Sequence, residues 1–204
     1  MVHQILQRFG FQFSSPQPTP LSTSHSLSAP PSDESVELSG PYPELVGCLM
    51  YLMTCARPDL AYPLSLLARY MAPGRHRKVH WDAAKRVLRY LCSTSGMRLM
   101  LGGRGPVVLT GYTDASWVDD SATQQSSQGY TFSLEATVAH LPADGLGRAA
   151  SFASSSQRGQ LCLAYVATRA NTADIFTKAL PPGDHLRFAT VLGLVPTLPH
   201  LLTV

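Results

Sequence analysis

Charge is scarce in this chain. Only 14% of its 204 residues are Asp, Glu, Lys or Arg, against 45% hydrophobic ones, a balance that excludes wholesale disorder and leaves apolar material for a core in one or two domains. Long apolar runs are also missing. Nothing approaches the roughly 20 apolar residues of a membrane span, and the opening residues Met1 to Phe11 lack the apolar stretch of a secretory leader. Cysteine is sparse and unpatterned: Cys48, Cys55, Cys92 and Cys162 form no Cys-x-x-Cys spacing and stand beside no paired histidines. That argues against both a zinc site and a disulfide framework, so the four read as small apolar residues of a reducing compartment. An intracellular, soluble chain with no membrane partner is the expectation. The formal net charge of +3 decides little, because placement matters more than sum.

What the chain does contain falls into segments. Val2, Ile5, Leu6 and Phe9 share one face of a short helix that needs a partner surface, and a start inside such a helix suggests a chain cut from something longer. From Ser14 to Ser39, five prolines set among serines cannot offset their ordering entropy, which predicts a linker. Residues 44–54 place Leu45, Leu49 and Leu52 on one stripe and Val46, Met50 and Met53 on the next, predicting a mostly buried helix. Pro58 and Asp59 open a second helix through Leu60, Leu64, Leu67 and Tyr70, since proline and acidic residues suit a first turn. A third spans about 78–92, with Trp81, Ala84, Leu88 and Leu91 inward and Asp82, Lys85, Arg86 and Arg89 outward. Three helices joined by short turns form one unit.

Arg69, Arg75, Arg77, Lys78, Lys85, Arg86, Arg89, Arg98 and Arg104 stand in this region against Asp82 alone. A one-signed run of this kind suits a nucleic-acid backbone, whose counterions each neutralised phosphate releases, and it also suits an ordinary solvated helix face. The candidate contacts are Arg75, Arg77, Lys78, Lys85, Arg86 and Arg89.

Downstream, residues 97–101 and 107–113 are strand candidates separated by Gly102-Gly103-Arg104-Gly105, a hairpin-like break. Asp114 then stands where a strand stops, a place where a carboxylate is displayed for a metal or simply begins a turn. Residues 129–134 supply a further strand, antiparallel to the one before the loop, and 160–166 another. Asn171 is an N-cap candidate for a helix carrying Asp174 in its first turn and ending at Pro181-Pro182; residues 184–194 form a last amphipathic helix.

Five motifs occur in order: Pro41-Tyr42-Pro43-Glu44-Leu45-Val46-Gly47, Arg57-Pro58-Asp59-Leu60-Ala61-Tyr62, His80-Trp81-Asp82-Ala83-Ala84-Lys85-Arg86, Gly111-Tyr112-Thr113-Asp114-Ala115-Ser116-Trp117, and Ala173-Asp174-Ile175-Phe176-Thr177-Lys178. Together they resemble the C-terminal part of the Pol polyprotein of copia-type long-terminal-repeat retrotransposons, from the end of the reverse transcriptase into RNase H. The resemblance implies an α+β fold: a helical connection unit of three helices, then an incomplete RNase H-like mixed sheet with C-terminal helices. It divides the chain into a reverse transcriptase end (1–13), a disordered Pro/Ser linker (14–40), the connection unit (41–95), a degenerate RNase H-like domain (96–195) and a tail (196–204).

The family activity it implies is RNA-directed DNA polymerase with ribonuclease H, in which four carboxylates hold two Mg²⁺ ions about 4 Å apart over an RNA·DNA hybrid. Asp114 matches the first carboxylate and Asp174 the last, as catalytic and metal residues. The motifs for the second and third are missing: Glu135 follows its strand with no helix to carry it, and Asp144 sits in a turn, Pro142-Ala143-Asp144-Gly145. A deletion or frame disruption between Leu134 and Gln157 is implied, which would leave Asp114 and Asp174 vestigial and Mg²⁺ unbound. No Asp-Asp pair of a polymerase hairpin precedes the linker. Three readings stand: a degenerate Pol fragment without catalysis, a reduced RNase H still cutting hybrids, and a nucleic-acid-binding module built on the basic helices. None involves a small-molecule substrate. Arg75-His76-Arg77-Lys78 is too short for a nuclear import signal, so cytoplasm and nucleus are not distinguished.

Overall fold

The computed structural model describes residues 1–24, 27, 40–102, 108–116, 127–135 and 164–197. These form helices and two small antiparallel sheets, an α+β arrangement. The helices are α1 (Val2–Arg8), α2 (Tyr42–Ala56), α3 (Ala61–Ala68), α4 (Lys78–Ser93) and α5 (Pro182–Val191); the strands are β1 (Met97–Leu99), β2 (Val108–Ser116), β3 (Ser127–Glu135) and β4 (Leu194–Pro196). Among the described residues no helix is long and apolar enough to cross a membrane.

Helix α2 begins with proline in its first turn and Glu44 beside it, both favourable where amides are unsatisfied. Its wide apolar arc buries Leu45, Val46, Leu49 and Leu52 against Leu60, Leu64 and Leu67 and against Ala84, Val87, Leu88 and Leu91 of α4. Ile5 and Leu6 of α1 join the same core, which gives that short helix the partner it needs. Tyr42 is fully buried and donates its hydroxyl to the Leu67 carbonyl at 2.8 Å. Burial pushes its phenol above the usual tyrosine range.

The second helix differs from expectation. Pro58–Leu60 is a 3-10 turn and α3 follows only from Ala61 to Ala68, because Asp59 is not a solvent-facing first-turn acid. Its side chain is fully buried and takes a forked pair of hydrogen bonds from buried Arg57, Nε to Oδ1 at 3.0 Å and Nη2 to Oδ2 at 2.8 Å. Nη2 also donates to Thr94 Oγ1 at 2.8 Å, while Tyr90 donates its hydroxyl to Asp59 Oδ2 at 2.7 Å. His185 of α5 completes the set, Nε2 lying 3.2 Å from the Tyr90 hydroxyl. A buried ionic network therefore ties the start of α3, the end of α4 and the C-terminal helix together.

The first half of the proline/serine segment is packed rather than a disordered linker. Thr19, Pro20 and Leu21 are buried, and α4 supplies hydrogen bonds to that stretch: Ser93 Oγ to the Gln17 carbonyl at 2.9 Å and Arg86 Nη2 to Thr19 Oγ1 at 3.0 Å. Proline lowers the entropy such a segment must lose, and the donors of α4 meet its carbonyl and hydroxyl oxygens. Residues 28–39 lie outside the described set.

The strands pair differently from the expected hairpin across Gly102-Gly103-Arg104-Gly105. β1 pairs antiparallel with β4, Arg98 opposite Val195, and Gly193 turns the chain into that ladder with φ of 93°. A second small core of Ile175, Leu180, Phe188, Ala189 and Leu194 lies beneath it, with Met97 and Leu99 against it. β2 pairs antiparallel with β3, as the strand–loop–strand order predicts, and Asp114 stands opposite Gly129. Their outer face exposes Leu109, Tyr130 and Phe132 at 65%, 66% and 65%. The strand expected at 160–166 falls mostly outside the described residues; its described part, 164–166, forms no ladder.

Candidate functional site: a carboxylate pair held by lysine

The site lies where the β2–β3 hairpin meets the 3-10 helix Thr172–Phe176. That helix was expected as a full α-helix running to Pro181, but it lasts one short turn, and proline instead starts α5. Asn171 caps it, its Oδ1 accepting from the Ala173 amide at 3.1 Å. The same side chain's Nδ2 donates to the Thr113 carbonyl at 3.0 Å, so one residue both ends the loop and docks the strand. Close approach is possible because residue 129 is glycine. A Cβ there would stand 2.7 Å from Phe176 Cβ and 2.9 Å from Thr177 Cγ2. Gly129→Val should therefore push the hairpin off the helix and cost about 1–3 kcal/mol, measurable by urea unfolding; a loss under about 0.5 kcal/mol would show that the two elements do not touch.

Asp114 does not end its strand, since β2 continues to Ser116. Its carboxylate, partly buried, accepts a hydrogen bond from Thr177 Oγ1 through Oδ2. Asp174 is almost wholly buried, 1% exposed. Lys178 reaches both: its Nζ lies 2.8 Å from Asp174 Oδ2 and 3.8 Å from Asp114 Oδ2. The contact with Asp174 is an ion pair, and among the described residues no donor other than that ammonium reaches either oxygen of Asp174. Burial raises the Asp174 carboxyl above the usual aspartate range; the Lys178 ammonium opposes this and the nearby Asp114 adds to it. The two sequence-predicted acids thus do come together, across a sheet-to-helix junction sixty residues apart in the chain.

The donor set can be compared with what a pair of divalent ions requires. Two Mg²⁺ ions need several anionic oxygens to repay dehydration, whereas here two carboxylates share one ammonium already in contact with both. Among the described residues no third His, Cys, Asp or Glu joins them. Asp119, Asp120 and Asp144 lie outside the described residues, as does the side chain of Glu135. The described residues therefore do not fit a metal pair. Thr177, Lys178 and Gly129 escape a reading for acids alone; the i, i+4 spacing of Asp174 and Lys178 was the available signal.

The basic residues of the helical unit are less free than their run suggests. Lys78 and Lys85 both pair with Asp82, at 2.8 and 2.7 Å. Arg77 donates to carbonyls of Gly74 and His76, and Arg86 to Thr19. Arg75 is exposed, and Arg89 is half-buried beside Arg86. His80 is buried: Nδ1 accepts from the Arg77 amide at 2.8 Å, so the tautomer carries its proton on Nε2 and donates to the Leu27 carbonyl at 3.0 Å.

An α+β chain with a sheet-borne aspartate beside a second aspartate opening a late helical turn has relatives, among them retrovirus-related Pol polyproteins from transposons and a putative transposon Ty5-1 protein of Saccharomyces cerevisiae. Over 139 residues the chain is 40% identical to the retrovirus-related Pol polyprotein from transposon TNT 1-94 of Nicotiana tabacum, which covers 65% of this chain and 10% of that polyprotein. It is 35% identical over 128 residues to the Pol polyprotein from transposon RE2 of Arabidopsis thaliana, covering 62% of this chain and 8% of the relative. It is also 43% identical over 94 residues to the secreted RxLR effector protein 161 of Plasmopara viticola, covering 46% of this chain and 65% of that protein. The chain thus spans only a small part of the polyproteins it matches. No protein-family model matches it, and no solved structure does.

Proposed function

We infer that this chain is a degenerate fragment of a retrotransposon Pol polyprotein, from the C-terminal end of the reverse transcriptase and the RNase H region, and that it has no catalytic activity. The observation that carries this reading is the Lys178 ammonium seated on the two carboxylates that match the ends of the family's acidic set. A nuclease of that kind needs cations placed to activate water and to stabilise the leaving oxygen. An internal lysine neutralises one charge of the pair but activates no water. Homology to segments of transposon polyproteins supports the origin of the chain.

The test is incubation of the purified chain with labelled RNA·DNA hybrid in Mg²⁺ and in Mn²⁺. No cleavage above the no-protein background is expected. Metal-dependent cleavage abolished by Asp114→Asn would overturn the reading in favour of a reduced RNase H. The same preparation measures hybrid binding against salt. Because Arg77, Lys78, Lys85 and Arg86 already have partners within the chain, replacing Lys85, Arg86 and Arg89 by glutamine is expected to change the salt slope by less than about one phosphate contact. A larger drop would make the basic helix a nucleic-acid interface.

A further inference from the structure

The geometry points to Lys178 as a built-in counter-ion that occupies the place of a metal between Asp114 and Asp174, so that the junction of hairpin and helix holds without any divalent ion and only loss of the lysine opens it to one. This goes beyond the family origin of the chain and stands on the placement of three side chains. Asp174 is buried, and among the described residues no donor other than Lys178 reaches its oxygens, so its negative charge depends on that cation, at 2.8 Å. The ammonium also lies 3.8 Å from Asp114 on β2, which makes it a bridge between sheet and helical turn rather than a simple i, i+4 pair. Lys178 lines a narrow cleft with Leu21, Tyr62 and Ile175, against which its stem can rest while 39% of the side chain stays exposed. A compact monovalent ammonium on a fixed stem neutralises one charge of the pair and excludes a hydrated divalent ion by both charge and volume.

Removing the ammonium while keeping the stem should leave two facing carboxylates without a cation. That arrangement binds a single divalent ion weakly, with water completing its shell. The experiment is thermal unfolding of the full chain and of Lys178→Met, with and without Mn²⁺ at matched ionic strength. The wild-type midpoint is expected to be unmoved by Mn²⁺. Lys178→Met is expected to unfold lower without metal and to regain about 3 °C or more once Mn²⁺ exceeds its dissociation constant about tenfold. That gain should vanish in the double variant with Asp114→Asn. Should the methionine variant fail to fold without metal, Lys178→Gln, which keeps a donor for Asp174, takes its place in the same titration. An equal Mn²⁺ response in the wild type, or none in either folded variant, would overturn the inference.

Discussion

Replacing Arg57 by leucine should destabilise the chain by about 3–5 kcal/mol, the range found when one partner of a buried ion pair is removed. The cause is less the lost attraction than the remaining charge. Asp59 is fully buried, and among the described residues its two oxygens would keep only the Tyr90 hydroxyl, at 2.7 Å from Oδ2. Thr94, which accepts from Arg57 through both its side chain and its carbonyl, would lose donors as well. In urea unfolding the change should appear as a lower midpoint at unchanged slope, and in a thermal scan as a fall of roughly 10 °C. The double variant Arg57→Leu with Asp59→Leu should recover much of the loss, because no unpaired charge then remains. A single-variant loss under about 1 kcal/mol would show that solvent or another cation reaches Asp59, and the network would not be the joint described above.

The second large effect is pH dependence through His185. Its ring is 5% exposed, and burial pulls its pKa from 6.5 to about 4, with Arg57 pushing the same way and Asp59 opposing. The unfolded chain therefore takes up a proton near pH 6.5 that the folded chain refuses until about pH 4. Stability contributed by the neutral ring is full above pH 6.5 and is lost as pH falls from there to about 4, amounting to about 3 kcal/mol. Asp174 works in the opposite sense. Its carboxyl is raised in the folded state, so it favours folding as pH falls through its folded value. The measurement is therefore a comparison of wild type with His185→Gln by urea unfolding between pH 7 and 4. The variant's curve should lack the His185 contribution and be flatter by about that amount; parallel curves would mean that His185 is hydrated in solution.

Much of this was legible in the sequence, and what escaped did so for physical reasons. The apolar stripe of α2 and the amphipathic face of α4 gave those helices to within a few residues, because burial periodicity is local information. Asp114 and Asp174 could be singled out because the motifs around them, Gly111 to Trp117 and Ala173 to Lys178, resemble those that carry the family's first and last carboxylates. Arg57 and Asp59 looked like the preface to a helix. Nothing within two residues of them reveals that Tyr90 and His185, from segments far along the chain, converge on the same buried point. β1 was misassigned a partner for a similar reason. The glycines after it form a local turn signal, whereas its true partner, β4, lies at the other end of the domain and is selected by the small core beneath. Lys178 stood in plain view within its motif. Only the approach of Asp114, made possible by Gly129, shows that its ammonium is shared.

The junction of hairpin and helical turn depends on that shared ammonium. The most direct test is a crystal of the full chain soaked in Mn²⁺, with anomalous scattering recorded at the junction of β2 and the helical turn after Asn171. The expected map shows Lys178 Nζ between the carboxyl groups of Asp114 and Asp174 and no anomalous peak there. A manganese peak bridging the two aspartates, with the lysine swung into solvent, would contradict this and make the pair a metal site.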